Sequence, residues 1–288
     1  MADKAPVAVV MISLNEAANM EAVLANVVPW AQEVFLVDSY SEDATVDIAL
    51  KHGVHVVQRR FTDFGDQWNF AVKALPIRAP WTMKLDPDER ITDDLKRGIE
   101  TAIRDDDADG LMILRRLWFL GRPLPVRQEL LRIWRTGACR FSDVLVNEQP
   151  LVPGQMRFVQ GELEHYDSPD LHHWFEKQNR YTTAEAISSY RGLALGAEAR
   201  VFGSPMERRV WLKRNFHRLP FCFAGLYLYH YLVLGAWRAG RAGHIWARLR
   251  VEVYRAWAYK LLEMQMTGRE TALPPPRTGS PDPRVPQY

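Results

Sequence analysis

The stretch TMKLDPDERITDDL, residues 82–95, decides how this chain is read. An apolar run reaches Leu85 and stops in Asp86-Pro87-Asp88-Glu89, three carboxylates in four residues. Like charges packed that closely repel and raise one another's pKa unless something positive sits among them. Two readings compete. Asp and Pro favour a polar turn that leads into a helix starting near Thr92. Alternatively, two carboxylates one residue apart on a tight turn share a divalent cation bound to a diphosphate.

Upstream of that turn, strand and helix alternate. Residues 7–12 form a continuous apolar run, the pattern of a parallel strand covered on both faces. Met20, Val23, Leu24, Val27 and Val28 recur at helical spacing. EVFLVD is a second apolar strand ending at Asp38, and VHVVQ follows as a third. FGDQWNFAVKAL reads as a helix and WTMKL as the strand entering the acidic cluster. Such alternation with short connections predicts an α/β sheet built from right-handed crossovers. Ligands of such sheets bind beyond the carboxyl ends of the strands, where Asp38 and Asp86 fall.

Downstream, GLMILRR and LLRIWR read as strands joined by the turn-like FLGRPLP, and RFVQGELEHY as another. A helix is expected from Asp170 and a long one from about residue 245 to 266. The tail LPPPRTGSPDPRVPQY is rich in proline and is expected to be unfolded.

Composition narrows the classes. A hydrophobic share of 47% and a charged share of 25% are ordinary for a globular chain. Its 288 residues suit one large domain or one domain with an appendage. MADKAPVAVVMISLNE lacks the basic start, apolar middle and cleavage site of a signal peptide. Cys139 and Cys222 lie far apart, which argues against a disulfide framework or a thiolate zinc site and fits a reducing cytoplasm.

The net charge of +2 conceals an asymmetry. Residues 208–250 hold nine Lys or Arg and no Asp or Glu, whereas the residues before them hold 23 basic and 31 acidic side chains. An acidic body followed by a basic segment calls for a polyanionic partner, nucleic acid or an anionic membrane. Within that segment, residues 219–237 run nineteen positions without a full charge, near the ~20 that cross a bilayer. Pro220, Gly225, His230 and Gly235 interrupt the run. Tyr and Trp flanked by Arg suit the headgroup layer, so a surface anchor through 208–250 is expected rather than a span.

In order and spacing, MISLNEAANMEAVL, VFLVDSYSEDATVDIA, FGDQWNFA and LDPDER resemble the nucleotide-sugar-binding half of the family 2 glycosyltransferases. The likeness continues through FLGR, RIWR, RF…VNE, HWFEKQNRYTTAEA and the basic aromatic stretch, over roughly residues 5–265. These later stretches look like bacterial enzymes that add a hexose to lipopolysaccharide core, the β-1,4-glucosyltransferases.

The resemblance implies a GT-A nucleotide-diphospho-sugar transferase fold, a mixed, mostly parallel sheet between helices. Residues 1–168 would be the transferase domain, with 1–92 as nucleotide-sugar half and 93–168 as acceptor half. Residues 169–270 would be a helical, membrane-associating extension and 271–288 a disordered tail. The implied reaction is inverting transfer of a hexose from a nucleotide-diphospho-sugar, a UDP-sugar first, with Mg or Mn as cofactor. A glycolipid or lipopolysaccharide-core acceptor would place the enzyme on the cytoplasmic face of the plasma membrane. A homodimer is a further candidate, and nothing in the likeness supports nucleic acid as a partner.

Position by position, Glu16 and Asp38 match residues that hold the nucleoside, Asp38 through the base. Gln67 and Asn69 fall where the family places polar contacts near the donor. Asp86 would contact the ribose or the metal, and Asp88 the metal directly. Glu148 matches the acidic residue that takes a proton from the acceptor hydroxyl. Several positions have a second reading. Ser13-x-x-Glu16 is also a capping box. His165 is either a further metal ligand or a structural histidine. Arg132 and Arg135 could clamp phosphate through bidentate geometry, or one could pair with the acidic cluster.

The chain departs from the pattern in three places. Tyr40 stands where VDSGS has glycine, and Asn147 where the subgroup has histidine. The acceptor-side stretch around 121–131 is shortened. That keeps a polyprenyl-phosphate, capsule or exopolysaccharide acceptor in play, beside a catalytically silent membrane-bound scaffold.

Overall fold

A computed structural model describes residues 4–142, 149–192, 202, 207, 211, 221–272 and 277–288. The chain divides into two units. The first comprises Met1–Leu117, Arg127–Tyr166 and Pro276–Tyr288, the second Trp118–Val126 and Asp167–Pro275.

In chain order the first unit begins β1 (Ala5–Ser13), α1 (Ala17–Val27), β2 (Ala31–Asp38), α2 (Thr45–Lys51), β3 (His55–Gln58), α3 (Phe64–Ala74) and β4 (Trp81–Lys84). It continues with β5 (Glu89–Ile91), α4 (Asp93–Asp105), β6 (Gly110–Phe119), β7 (Arg122–Arg135), β8 (Arg140–Phe141), β9 (Pro150–Leu151) and β10 (Met156–Tyr166). Eight strands form one sheet in the order β3-β2-β1-β4-β7-β6-β10-β5, and β8 and β9 form a small ribbon. The pairs β2–β3, β1–β2 and β1–β4 are parallel, whereas β4–β7 and β5–β10 are antiparallel.

Alternation along each strand sorts the core into two layers. Val7, Val9 and Met11 of β1 and Leu36 of β2 face α1 and α4 through Met20, Leu24, Leu95 and Ile99. Ala8, Val10, Phe35 and Val37 face the other way, onto Trp68 and Ala71 of α3. Apolar side chains on both faces are why these strands read as continuous apolar runs.

The caps follow local sequence. Asp63 accepts from Asp66 N (2.8 Å) and starts α3, and Thr92 Oγ1 accepts from Leu95 N (3.2 Å) and starts α4. The Ser13-x-x-Glu16 capping box does not form. Glu16 is the N-cap of α1 without a side-chain cap bond. Its own backbone N–H donates to Thr45 Oγ1 (2.8 Å), and Ala17 N donates to Asp43 Oδ2 (3.0 Å).

The tail corrects the expectation of disorder. Residues 277–288 pack on the first unit, where Val285 is buried in the main core. Gln58 N donates to Pro286 O (2.8 Å) and Tyr288 N donates to Gln58 O (2.9 Å), extending the sheet beside β3. The proline-rich composition misled because proline, although it lacks an N–H, still accepts through its carbonyl at a sheet edge.

In the second unit lie α5 (Leu171–Tyr190), α6 (Cys222–Leu228), a π turn (Tyr229–Val233), a 3-10 turn (Ala236–Ala239) and α7 (Gly240–Thr267). Ala186 and Ile187 of α5 pack on Trp257 and Met264 of α7. The unit's boundaries differ from the expected 169–270 in taking in 118–126 at the tips of β6 and β7. Among the described residues no helix is long and apolar enough to cross a membrane. The stretch 219–237 is broken after α6, and its first two residues lie outside the described ones.

One glycine is demanded by packing. Gly161 of β10 has φ +104°, and a Cβ there would run into the backbone of Asp94 and Leu95 in α4. Gly161→Ala is expected to lower stability by about 2 kcal/mol. A melting temperature equal to that of the parent protein would refute this account of the α4–β10 contact.

Candidate active site

The residues gather in two groups at the carboxyl edge of the sheet. The first group comes from strand register. Ser13 pairs with Asp38, and Asp38 with Gln58, so these three stand in a row across β1, β2 and β3. Asp38 is fully buried. Ser13 Oγ donates to its Oδ1 (2.9 Å), and Gln58 Nε2 donates to its Oδ2 (2.9 Å). Ser41 supplies two more donors, its N–H to Oδ2 (2.9 Å) and its hydroxyl to Oδ1. A carboxylate offers about four lone-pair sites, and here protein donors take all four. A ligand N–H can reach Asp38 only by replacing one of them. Ser41 is the one on a turn, after Tyr40 in the left-handed region (φ +62°). That strained turn is where the glycine of VDSGS would have stood.

Gln67 and Asn69 brace this group. Gln67 is buried, with Nε2 donating to Ser39 Oγ (3.2 Å) and Oε1 accepting from Arg59 (3.0 Å). Asn69 bonds Phe141 twice, Nδ2 to the carbonyl (3.1 Å) and Oδ1 from the N–H (2.9 Å). It therefore holds the chain that leads towards Glu148. Glu148 itself lies outside the described residues. Its flanks are tied together: Ser142 N donates to Gln149 O (3.1 Å) and Gln149 N to Ser142 Oγ (3.0 Å). Glu16 accepts from Asn19 Nδ2 (2.9 Å), at the start of α1.

The second group is the acidic turn. Glu89 is fully buried, and its Oε1 accepts from Arg132 (2.7 Å) and Arg115 (3.1 Å). Its Oε2 accepts from the N–H of Asp86 (2.9 Å), which closes the turn. Arg132 also donates to Asp86 Oδ2 (2.9 Å). Burial pushes the Asp86 carboxyl up, but Arg132, Lys84 and Arg115 outweigh it and hold the group below the ordinary carboxylate range. For Glu89 burial wins over Arg132, and its pKa is raised. Arg132, buried against both acids, keeps its proton even more firmly than a free guanidinium.

Asp88 turns the other way. Its Oδ2 lies 3.2 Å from His165 Nε2, because β10 pairs with β5 and sets His165 opposite Glu89. Burial alone would lower the His165 pKa, yet Asp88 raises it. Asp167, the residue after β10 ends, offers a third ligand atom within 4.8 Å of those of Asp88 and His165. Two carboxylate oxygens and an imidazole nitrogen form a donor set that divalent cations accept. The Nδ1 of His165 is buried without a hydrogen-bond partner, so it lacks the acceptor that usually orients a metal-bound histidine.

The expected site residues thus divide. Asp88 and His165 come together, while Asp86 is held by Arg132 and stands outside that cluster. Arg132 is the guanidinium that pairs with the acids rather than a phosphate clamp. Arg135 belongs elsewhere. It pairs with Trp81 at the amino end of β4, lies over that indole (4.4 Å) and bonds Asp106. Arg115, Gln58 and Asp167 escaped the sequence reading, and Glu89 entered it only as one of three clustered carboxylates without a role of its own. Of the three that escaped, Asp167 had a local signal, two positions after His165 in EHYD.

Residues 8–159, more than half of the chain, match the family model described as glycosyl transferase family 2. The chain belongs to that family, and its mostly parallel sheet flanked by helices is the expected GT-A-like fold. An uncharacterized glycosyltransferase of Rickettsia bellii (strain RML369-C) is 36% identical over 90 residues, 31% of this chain and 30% of that protein. The match therefore spans under a third of that relative's length. S. aureus TarS 1-349 in complex with UDP-GlcNAc aligns with a TM-score of 0.47 at 14% identity, over 91% of this chain and 92% of that one. Glucosyl-3-phosphoglycerate synthase from Mycobacterium tuberculosis, in complex with Mn2+, UDP and glucosyl-3-phosphoglycerate, aligns with a TM-score of 0.32 at 20% identity. It covers 38% of this chain and 44% of that one. Family membership rests on the family model, not on these structural likenesses.

Removing one partner from a buried ion pair costs far more than the pair contributes. Arg132→Met is expected to destabilise the protein by about 3 kcal/mol, because it leaves Glu89 half compensated beside Asp86. Denaturant unfolding measures this, and a loss under about 1 kcal/mol would show that Arg115 alone suffices.

Proposed function

We propose that this protein is an inverting glycosyltransferase that moves a hexose from a UDP-sugar to a lipid-linked acceptor of the lipopolysaccharide-core type. The observation that carries the reading is the Asp88–His165 pair at the carboxyl edge of a parallel sheet, beside the Ser13–Asp38–Gln58 row. A nucleoside would lie against the row and its diphosphate near Asp88. TarS and glucosyl-3-phosphoglycerate synthase, both seen with UDP, lend the choice of nucleotide.

Asp88, with His165 and Asp167, would hold the divalent cation, which takes up charge on the departing diphosphate. Glu148 takes the proton from the acceptor hydroxyl. The oxygen so freed bonds the anomeric carbon from the face opposite the diphosphate, and the bond from that carbon to the phosphate oxygen breaks. One displacement inverts the configuration. Arg132 and Glu89 keep the turn in place, and Asn69 braces the strand before Glu148.

The lipid part of the reading rests on the second unit. There Phe221, Val233, Leu232 and Trp237 are exposed within the segment that holds nine basic and no acidic residues over 208–250. Residues 208–210 and 212–220 of it lie outside the described ones. Aromatic and aliphatic side chains among arginines suit an anionic headgroup layer. A surface-bound enzyme facing the cytoplasm would meet both a soluble nucleotide sugar and a lipid-anchored acceptor.

Calorimetric titration of UDP, with and without Mn2+, tests the donor half. Asp88→Ala is expected to weaken Mn2+-supported binding at least about tenfold and to abolish its metal dependence. Binding unchanged in that variant would sink the cation role. Glu148→Gln is expected to cut kcat by about a hundredfold or more while leaving UDP affinity alone. Equal turnover by the variant would remove Glu148 as the base.

A further inference from the structure

The tail makes contacts that packing alone does not require. It crosses three loops at the carboxyl ends of β1, β2 and β3. Asn15 Nδ2 donates to Arg277 O (3.1 Å), and Gly279 N donates to Tyr40 O (2.7 Å). Asp282 N donates to Gln58 Oε1 (2.7 Å), and Gln287 Nε2 donates to the same oxygen (3.1 Å). Arg284 bridges Asp47 (2.6 Å) and Asp282, and Tyr288 lies 5.1 Å from the Phe70 ring. A cleft of about 350 Å³ lies between Ser41, Asp43 and Gln58 on one side and Ser280, Asp282 and Arg284 on the other.

The two donors on Gln58 Oε1 have a chemical consequence. An amide can turn over and exchange its donor and acceptor ends. With its oxygen held by the Asp282 N–H and the Gln287 amide, Gln58 must present its NH2 to Asp38. Ser13 holds Asp38 from the opposite side. Asp38 is thereby fixed between two strand residues, and only Ser41, on the Tyr40 turn, can give way to an incoming N–H. The tail grips that turn as well, at the Tyr40 carbonyl.

We infer that residues 277–288 are a working part of the nucleoside subsite, positioning Asp38 through Gln58 and the 40–42 turn through Gly279. This deepens the donor-site reading and rests on it. The nucleoside of a diphosphate donor is what the tail serves. Asp88, paired with His165, lies in the turn after β4, a strand that β1 separates from β2 and β3, where the tail docks.

That separation supplies the test, made on the full chain. Val285→Asp with Arg284→Glu expels the tail, because the first buries a charge and the second faces Asp47 and Asp282. Hydrogen exchange at the Gln58 and Tyr288 amides reports the release. Expected is a Kd for UDP raised about tenfold, the scale of one or two lost hydrogen bonds, with affinity for Mn2+ alone unchanged. Gln58→Leu should raise the Kd similarly, and adding it to the released tail should cost nothing more, since both break one relay.

Any of the following outcomes would overturn the inference. UDP affinity could stay unchanged after release, Mn2+ affinity could fall in step and mark a general loosening, or the two changes could add. Rapid exchange of both amides in the parent would equally show that the tail does not dock. A parent protein that binds no nucleotide would instead remove the donor-site reading beneath it.

Discussion

The acidic turn depends on the buried contact between Arg132 and Glu89. Glu89 has no exposure to water, and an uncompensated carboxylate in such a place costs several kcal/mol. Its two guanidiniums come from β7 and β6, so the turn after β4 is stable only once those strands have assembled beside it. The same contact distributes the charge. Arg132 and Arg115 answer Asp86 and Glu89, and Asp88 is directed to His165 instead. Three carboxylates in four residues are therefore tolerated because Arg132 and Arg115 answer two of them and His165 faces the third.

Register does for the Ser13–Asp38–Gln58 row what ion pairing does for the turn. Ser13, Asp38 and Gln58 are the last residues of three adjacent parallel strands, and in-register pairing aligns their side chains without a special loop. Gln287 extends the row by one more position. A parallel sheet thus presents a ready line of polar groups at its carboxyl edge, the place where α/β sheets bind ligands. The backbone arranges it, so small shifts in any one side chain matter less than the order of the strands.

The local parts of this structure were legible in the sequence, and the non-local parts were not. Apolar runs over 7–12 and 34–37 announced strands buried on two faces, and Thr92 announced the start of α4 because a cap is a contact over three residues. Arg132 with Glu89 spans 43 positions and depends on β7 lying beside β4, which no short window contains. Yet one choice could have been narrowed from the sequence. Arg132 and Arg135 are three apart in a strand, so they point to opposite faces. Both could not have reached one phosphate. Ser13 shows the converse hazard: a capping pattern fits it, but the acceptor it finds is the buried Asp38 on the neighbouring strand.

Asp38 and Asp88 show how surroundings assign roles to the same functional group. Asp38 meets four protein donors, as many as its lone pairs can take. It serves by holding a turn and by yielding a single lone pair. Asp88 meets an imidazole, with His165 Nε2 3.2 Å from its Oδ2. A saturated carboxylate reads shape and direction, whereas one facing a replaceable partner reads charge. Asp38 closes β2 and Asp88 lies in the turn after β4, with β1 between the two strands, so one sheet edge carries both kinds of carboxylate.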